Sequence, residues 1–195
     1  MDVEAVLLTG GGSRRMGADK ASILIEGQAL GERMVAKLSE QALQVTVLGR
    51  APIAGASFVA DVDEFAGPLV ALSRFRATCE FVFVASCDLP GFDSRLISCL
   101  KSALGAADGA VPYVDGWRQP LCAIYRANGL AAIAPLLAEG RVRVMNWLDR
   151  LNIVDVGTDQ IASWGMNPAS VLGVNTPSEL AEALGRERNR SDGKC

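Results

Sequence analysis

Apolar residues fall along this chain in short blocks at two spacings. Continuous runs cover Ala5 to Leu8, Val45 to Leu48, Ser57 to Ala60 and Glu80 to Ser86, and each reads as a buried strand. The last of these, EFVFVAS, is the strongest, being almost wholly aromatic, β-branched or small. A shorter extended piece covers Ala21 to Ile25 and ends at Glu26-Gly27. Between the runs, the spacing changes to that of a helix. Leu30, Met34, Val35 and Leu38 predict a helix from about Leu30 to Ala42. Gly67-Pro68 opens another through about Arg76, with proline suited to a first turn. Asp93 starts a third, carrying Leu96, Ile97 and Leu100. The order strand, helix, strand, strand, helix, strand, helix argues for an α/β fold with a parallel sheet covered by helices.

The second half is less regular. Gly109 to Val114 is extended, and Pro112 within it suits an edge or a strand end. Asp115-Gly116 is a turn signal, and Leu121 to Tyr125 reads as the returning strand of a hairpin. Leu130 to Ala138 is an apolar helix, and Val144 to Arg150 a short one that buries Trp147. Asn152 to Val156 and Val171 to Val174 read as strands, and Pro177 to Arg188 as an amphipathic helix. Residues 1–188 are expected to form one domain, and 189–195 a disordered tail.

Composition narrows the chemistry. The 195 residues are 50% hydrophobic and 21% charged, a globular balance. No apolar run reaches the ~20 residues needed to cross a bilayer. The acidic opening MDVEAVLL is unlike a secretory signal, so a cytoplasmic protein is expected. A net charge of −3 gives no global attraction to nucleic acid or an anionic membrane, and neither is expected as a partner. The five cysteines match no C-x-x-C metal pattern and read as small hydrophobes. There is no histidine, which excludes Ser-His-Asp and Cys-His catalysis. Carboxylates, cations and a hard metal ion such as Mg²⁺ remain.

The candidate chemistry begins where the first strand ends. Gly10, Gly11 and Gly12 let backbone N–H groups approach a ligand, and Arg14, Arg15 and Lys20 follow closely, a pattern suited to phosphate. The alternative is a purely structural β-to-α turn with a solvated basic edge. A Walker loop fails because Ala18 stands where lysine belongs, and the dinucleotide fingerprint fails at Arg15. In parallel sheets ligands bind at the carboxyl ends of strands, and Gly10 and Asp88 both lie just past such ends. Asp88 is the candidate metal ligand, with a turn or cap aspartate as the alternative.

The stretch from Leu8 to Lys20 fits L-x-G-G-x-S-x-R-M-G-x-D-K in every fixed place. It resembles the signature of small nucleotidyltransferases, most closely the molybdenum cofactor guanylyltransferases, with Thr9 in place of the usual alanine. Cys87 to Pro90 is similar to the family's C-D-x-P, Gly67-Pro68-Leu69 to its G-P-L, and Asn175 to Leu180 to its N-T-P-x-E-L. Gln119 to Tyr125 and the stretch around Arg143 also match, so the resemblance runs from Ala5 to about Leu184. Leu48 or Gly49, and Gly173, depart from positions where the family often has asparagine.

The resemblance implies a three-layer Rossmann-like nucleotidyltransferase fold, with a mostly parallel sheet and helices on both faces. It implies transfer of GMP from GTP to the terminal phosphate of molybdopterin cofactor. Arg15, Lys20 and Asp88 would be catalytic, with Mg²⁺ on Asp88. Leu8, Thr9, Gly10, Gly11, Lys20, Asp61 and Asp88 would bind nucleotide in the N-terminal half. Asp63 and Glu64 are rivals to Asp61 on one acidic loop. Gln119, Arg143 and Asn175 would bind the acceptor in the C-terminal half. Trp117, Arg118 and Trp147 could touch a pterin, with core packing favoured for Trp147. Transient contacts with other molybdenum cofactor enzymes are also allowed. A CTP-dependent sister enzyme and a non-catalytic nucleotide-binding regulatory module are the competing readings.

Overall fold

The structure, a computed structural model, describes residues 2–10, 20–25, 27–61, 67–176 and 178–183. Its elements in chain order begin with β1 (Val3–Leu8), a 3₁₀ turn (Lys20–Ser22), β2 (Leu24–Ile25), β3 (Gln28–Ala29) and α1 (Leu30–Ser39). β4 (Val45–Gly49), β5 (Ser57–Ala60), α2 (Pro68–Leu72), β6 (Phe81–Ser86) and α3 (Arg95–Leu104) follow. Then come β7 (Gly109–Val114), β8 (Trp117–Arg118), β9 (Cys122–Arg126), α4 (Ala127–Leu130), α5 (Ile133–Ala138) and α6 (Val144–Leu148). The last are β10 (Ile153–Gly157), α7 (Thr158–Ser163), a second 3₁₀ turn (Pro168–Val171) and a helical stretch at 178–183.

Alternation along β1 sets the layering. Val3, Ala5 and Leu7 pack with Met34, Val35 and Leu38 of α1 and Leu96, Ile97 and Leu100 of α3. Val6 and Leu8 point the other way, into a core with Leu69 and Leu72 of α2, Ile133 and Leu136 of α5, and Trp147. A strand apolar on both faces is covered on both faces, as in other helix-clad parallel sheets. The main sheet runs β10-β7-β9-β6-β1-β4-β5, with β8 paired to β7. β9 is antiparallel to β6 and β7, β8 is antiparallel to β7, and the other pairs are parallel. The three-layer, mostly parallel architecture expected from the sequence is the one observed. Among the described residues no helix is long and apolar enough to cross a membrane.

Several local expectations need correction. Val171 to Val174 is not a strand: a 3₁₀ turn ends at Val171, and the Val174 N–H donates to the Asp88 carbonyl at 2.9 Å. Its hydrogen bonds go to a strand end, so none remain for a ladder. The helix expected over Leu130 to Ala138 breaks into α4 and α5, because Pro135 has no N–H with which to bond one turn back. The helix after Gly67 stops at Leu72 and tightens into three-residue turns, Arg74 N–H to Ala71 and Phe75 N–H to Leu72. α1 ends at Ser39 rather than Ala42, since the Glu40 and Gln41 N–H groups bond carbonyls only three residues back. Pro112 is not on an edge. β7 lies between β10 and β9, but β9 pairs only with Gly109 and Ala110, so the proline falls beyond that ladder. The α7 helix had no counterpart in the sequence reading. The hairpin turn is as expected: Asp115 (φ 53°) and Gly116 (φ 81°) both take the left-handed conformation of a type I′ turn.

Candidate active site

The carboxyl ends of β1, β4, β5 and β6 form one rim. The Cys87 N–H donates to the Leu8 carbonyl at 3.0 Å, and the Thr9 N–H to the Leu48 carbonyl at 3.0 Å. These bonds carry the register of the sheet one residue past its strands. The start of the glycine turn and the C-D-x-P segment are therefore adjacent, although nearly eighty positions separate them.

Lys20 reaches into this rim. Its Nζ donates to Asp88 Oδ2 at 3.1 Å, to the Val174 carbonyl at 2.8 Å and to Asn175 Oδ1 at 3.0 Å. The two charged side chains are only 14% and 23% exposed, so their attraction is less screened than that of a surface pair. Ser86 Oγ donates to the other Asp88 oxygen, Oδ1, at 2.5 Å. Asp88 is thus held from both sides. Asn175 is fixed in turn by a capping box. The Glu179 carboxylate accepts from the Asn175 and Thr176 N–H groups, and Thr176 Oγ1 accepts from the Glu179 N–H.

A second carboxylate stands nearby on the same rim. The Asp61 N–H donates to the Gly49 carbonyl at 2.7 Å, and Asp61 Oδ1 accepts from Arg74 Nη1 at 2.9 Å. Asp61 Oδ2 lies over Gly10, where an added Cβ would come within 2.8 Å of it. Leu8 and Thr9 are buried at the end of β1, and Gly10 is exposed.

The other expected site residues divide. Gln119 is brought close through the backbone. Its carbonyl accepts from Cys122, and neighbouring Leu121 accepts from the Ser86 N–H. Arg143 is exposed at the start of α6 and, among the described residues, pairs with no carboxylate. Arg118 is held bidentately by Asp155, at 2.6 and 2.8 Å. Trp147 is fully buried, donates to the Gly129 carbonyl and packs at a tilt against Tyr125 with ring centroids 4.4 Å apart, a core role; Trp117 is 75% exposed. Gly11 and Arg15, with Asp63 and Glu64, lie outside the described residues. Ser86, Arg74 and Gly173 were not singled out as contacts of the two carboxylates. A lone hydroxyl ending an apolar strand could have pointed to Ser86. No spacing rule links Arg74 to Asp61.

The residues around Asp88 fit a magnesium ion better than a structural metal. Mg²⁺ takes one or two carboxylates and completes its shell with phosphate and water. Among the described residues no cluster of three or more Asp, Glu, Cys or His side chains surrounds Asp88. Each Asp88 oxygen accepts a hydrogen bond, one from Lys20 and one from Ser86, and keeps further acceptor capacity. Gly173 abuts the carboxylate, and a Cβ there would crowd it at 3.1 to 3.2 Å. Cys122 lies behind the site, where burial first, and the Asp88 charge second, push its thiol up. It stays protonated at neutral pH and is no nucleophile.

A helix-clad, mostly parallel sheet with a lysine–carboxylate pair at the carboxyl edge where β1 runs into Gly10 defines an enzyme of the nucleotidyltransferase class. The model of the MobA-like NTP transferase domain matches residues 5–154, and the chain belongs to that family. A relative from Bacillus subtilis (strain 168), named probable molybdenum cofactor guanylyltransferase, is 34% identical over 185 residues, covering 90% of this chain and 92% of the relative. Among solved structures, the molybdopterin-guanine dinucleotide biosynthesis protein A from Archaeoglobus fulgidus superposes with a TM-score of 0.76 at 22% identity, covering 92% of this chain and 96% of that one. The fold extends further, to the 2-C-methyl-D-erythritol 4-phosphate cytidylyltransferase from Thermus thermophilus, with a TM-score of 0.66 at 18% identity, covering 94% of this chain and 98% of that one.

Proposed function

We propose that this enzyme transfers GMP from GTP to the terminal phosphate of molybdopterin cofactor and releases pyrophosphate. The observation that carries the reading is the Lys20–Asp88 pair at 3.1 Å, set on the rim formed by the carboxyl ends of β1 and β6. The name of the Bacillus subtilis relative supports guanine as the base.

In this reading an oxygen of the acceptor phosphate attacks the α-phosphorus in line. One P–O bond forms there as the bond to the β-phosphate breaks. The attacking phosphate is already ionised, so no general base and no covalent enzyme intermediate are needed. That suits a chain without histidine. Lys20, Arg15 and the N–H groups of Gly10 and Gly11 hold the phosphate oxygens and offset their spreading charge. Asp88, braced by Ser86, would hold Mg²⁺, which when bound screens phosphate charge. Leu8, Thr9 and Asp61 bind the nucleoside, while Gln119, Arg143 and Asn175 bind the acceptor. Residues 1–188 form one domain, nucleotide-binding in its first half and acceptor-binding in its second.

The test is incubation with each NTP in turn, Mg²⁺ and molybdopterin cofactor, with pyrophosphate as the readout. GTP is expected to support release, and Asp88→Asn to lose at least about a hundredfold in kcat, as removal of a metal-borne transition-state contact does. Preference for CTP would overturn the base assignment. Nucleotide binding with no Mg²⁺-dependent release from any NTP would favour a regulatory module instead.

A further inference from the structure

We propose that Arg74 is a positioning residue for nucleotide recognition. It fixes Asp61 so that Oδ2 stands over Gly10 as the acceptor for an N–H or O–H donor of the bound nucleoside. The inference rests on the reading of Asp61 as a nucleotide contact and adds the residue that sets its aim.

Three observations converge on this assignment. First, Asp61 is tethered twice, by its main chain to the end of β4 at 2.7 Å and by Oδ1 to Arg74 Nη1 at 2.9 Å. Second, both side chains are about four-fifths buried, at 22% and 21% exposure, where a planar guanidinium holds a carboxylate in one orientation. Third, the remaining oxygen is directed at Gly10, 2.8 Å from where a Cβ there would stand, and among the described residues it accepts no hydrogen bond. An oxygen held in this way offers acceptor geometry without the ordering cost that a free carboxylate incurs on binding.

Charge gives Arg74 a second effect. Asp61 carries a negative charge toward a turn whose ligand is a triphosphate, and that charge alone would repel it. Arg74 neutralises the carboxylate at close range while leaving one oxygen free to accept. Arg74 sits in the turn after α2, where its N–H donates to the Ala71 carbonyl at 3.1 Å and anchors its backbone to that helix.

The test uses the full chain with Mg²⁺, reading binding of GTP, and of CTP alongside, by calorimetry and turnover by pyrophosphate release. Arg74→Gln is expected to weaken GTP binding about tenfold and raise KM with kcat nearly unchanged, the loss expected for one hydrogen bond to a charged group. Arg74→Lys keeps the charge but not the fork, and should recover part of the loss. Arg74→Gln in an Asp61→Ala background should change binding by less than about twofold, because the residue through which it acts is gone. Two results would overturn the inference: near-unaltered binding in an Arg74→Gln chain with an intact circular dichroism spectrum, or losses at 61 and 74 that add in full. Unimpaired binding by Asp61→Ala would sink both the inference and the reading of Asp61. Absent pyrophosphate release would count against the proposed transfer alone, and the binding measurements would still decide the role of Arg74.

Discussion

At the scale of single residues, two departures from the family pattern turn out to be one. Thr9 stands where the resembling proteins usually have alanine, and Gly49 ends β4 near a position where asparagine is frequent. The β1–β4 register pairs Leu8 with Leu48 and so sets Thr9 beside Gly49. A Cβ on Gly49 would fall 1.9 Å from Thr9 Oγ1 and 3.2 Å from Thr9 Cβ. The threonine hydroxyl therefore occupies the space that a side chain at 49 would need. Gly49→Ala is expected to destabilise by about 1–3 kcal/mol, as overpacking of a buried site does. Thr9→Ala should be almost neutral by itself and should remove most of the Gly49→Ala penalty. Urea unfolding of the two single variants and the double variant measures this, and equal penalties in both backgrounds would refute it. The sequence displayed both departures, but only the strand pairing shows that they touch.

At the scale of elements, the apolar runs and helical spacings were legible wherever packing decided the structure. β1, β4, β5, β6, α1 and α3 fall close to their expected places for that reason. Legibility failed where polar groups decided. Val174 looks like a strand residue, yet its N–H and carbonyl are taken by Asp88 and Lys20. Glu4 is the converse, a carboxylate inside a strand that is buried throughout. It accepts from the Thr78 and Cys79 N–H groups at 2.6 and 2.9 Å, and from Gln44 Nε2 and Thr78 Oγ1 at 2.8 and 3.0 Å. Glu4 thereby staples β1 to the turn that launches β6 and to the segment before β4. Glu4→Ala would leave two main-chain donors without an acceptor and is expected to cost about 3 kcal/mol. A shift in the urea midpoint too small to register would show that water replaces the carboxylate.

At the scale of the whole molecule, the candidate site draws on both ends of the chain. Residues near 9, 20, 49, 61, 88 and 175 share one rim because the parallel strands all point their carboxyl ends the same way. The motifs announced most of those residues; the geometry joining them depends on the sheet order, which no local pattern carries. The same packing makes the molecule sensitive to alkali. Burial pushes the Cys122 thiol up from 9.0 and the Tyr125 phenol up from 10.0. Both groups are neutral acids in the fold, so their contribution is complete below pH about 9. Above it the unfolded chain releases protons that the folded chain retains, and stability falls as pH rises. Thermal melts from neutral pH to above 10 should show this decline, with a shallower slope in Cys122→Ala. An identical slope would show that other groups govern the loss.

An ammonium group has three N–H bonds, and those of Lys20 are all spoken for: a carboxylate, a main-chain carbonyl and a side-chain amide. A newcomer's oxygen can enter that set only by evicting one of its members. The grip of this lysine on a phosphate is therefore a difference between two embraces, and whichever partner it lets go is released at the moment of arrival.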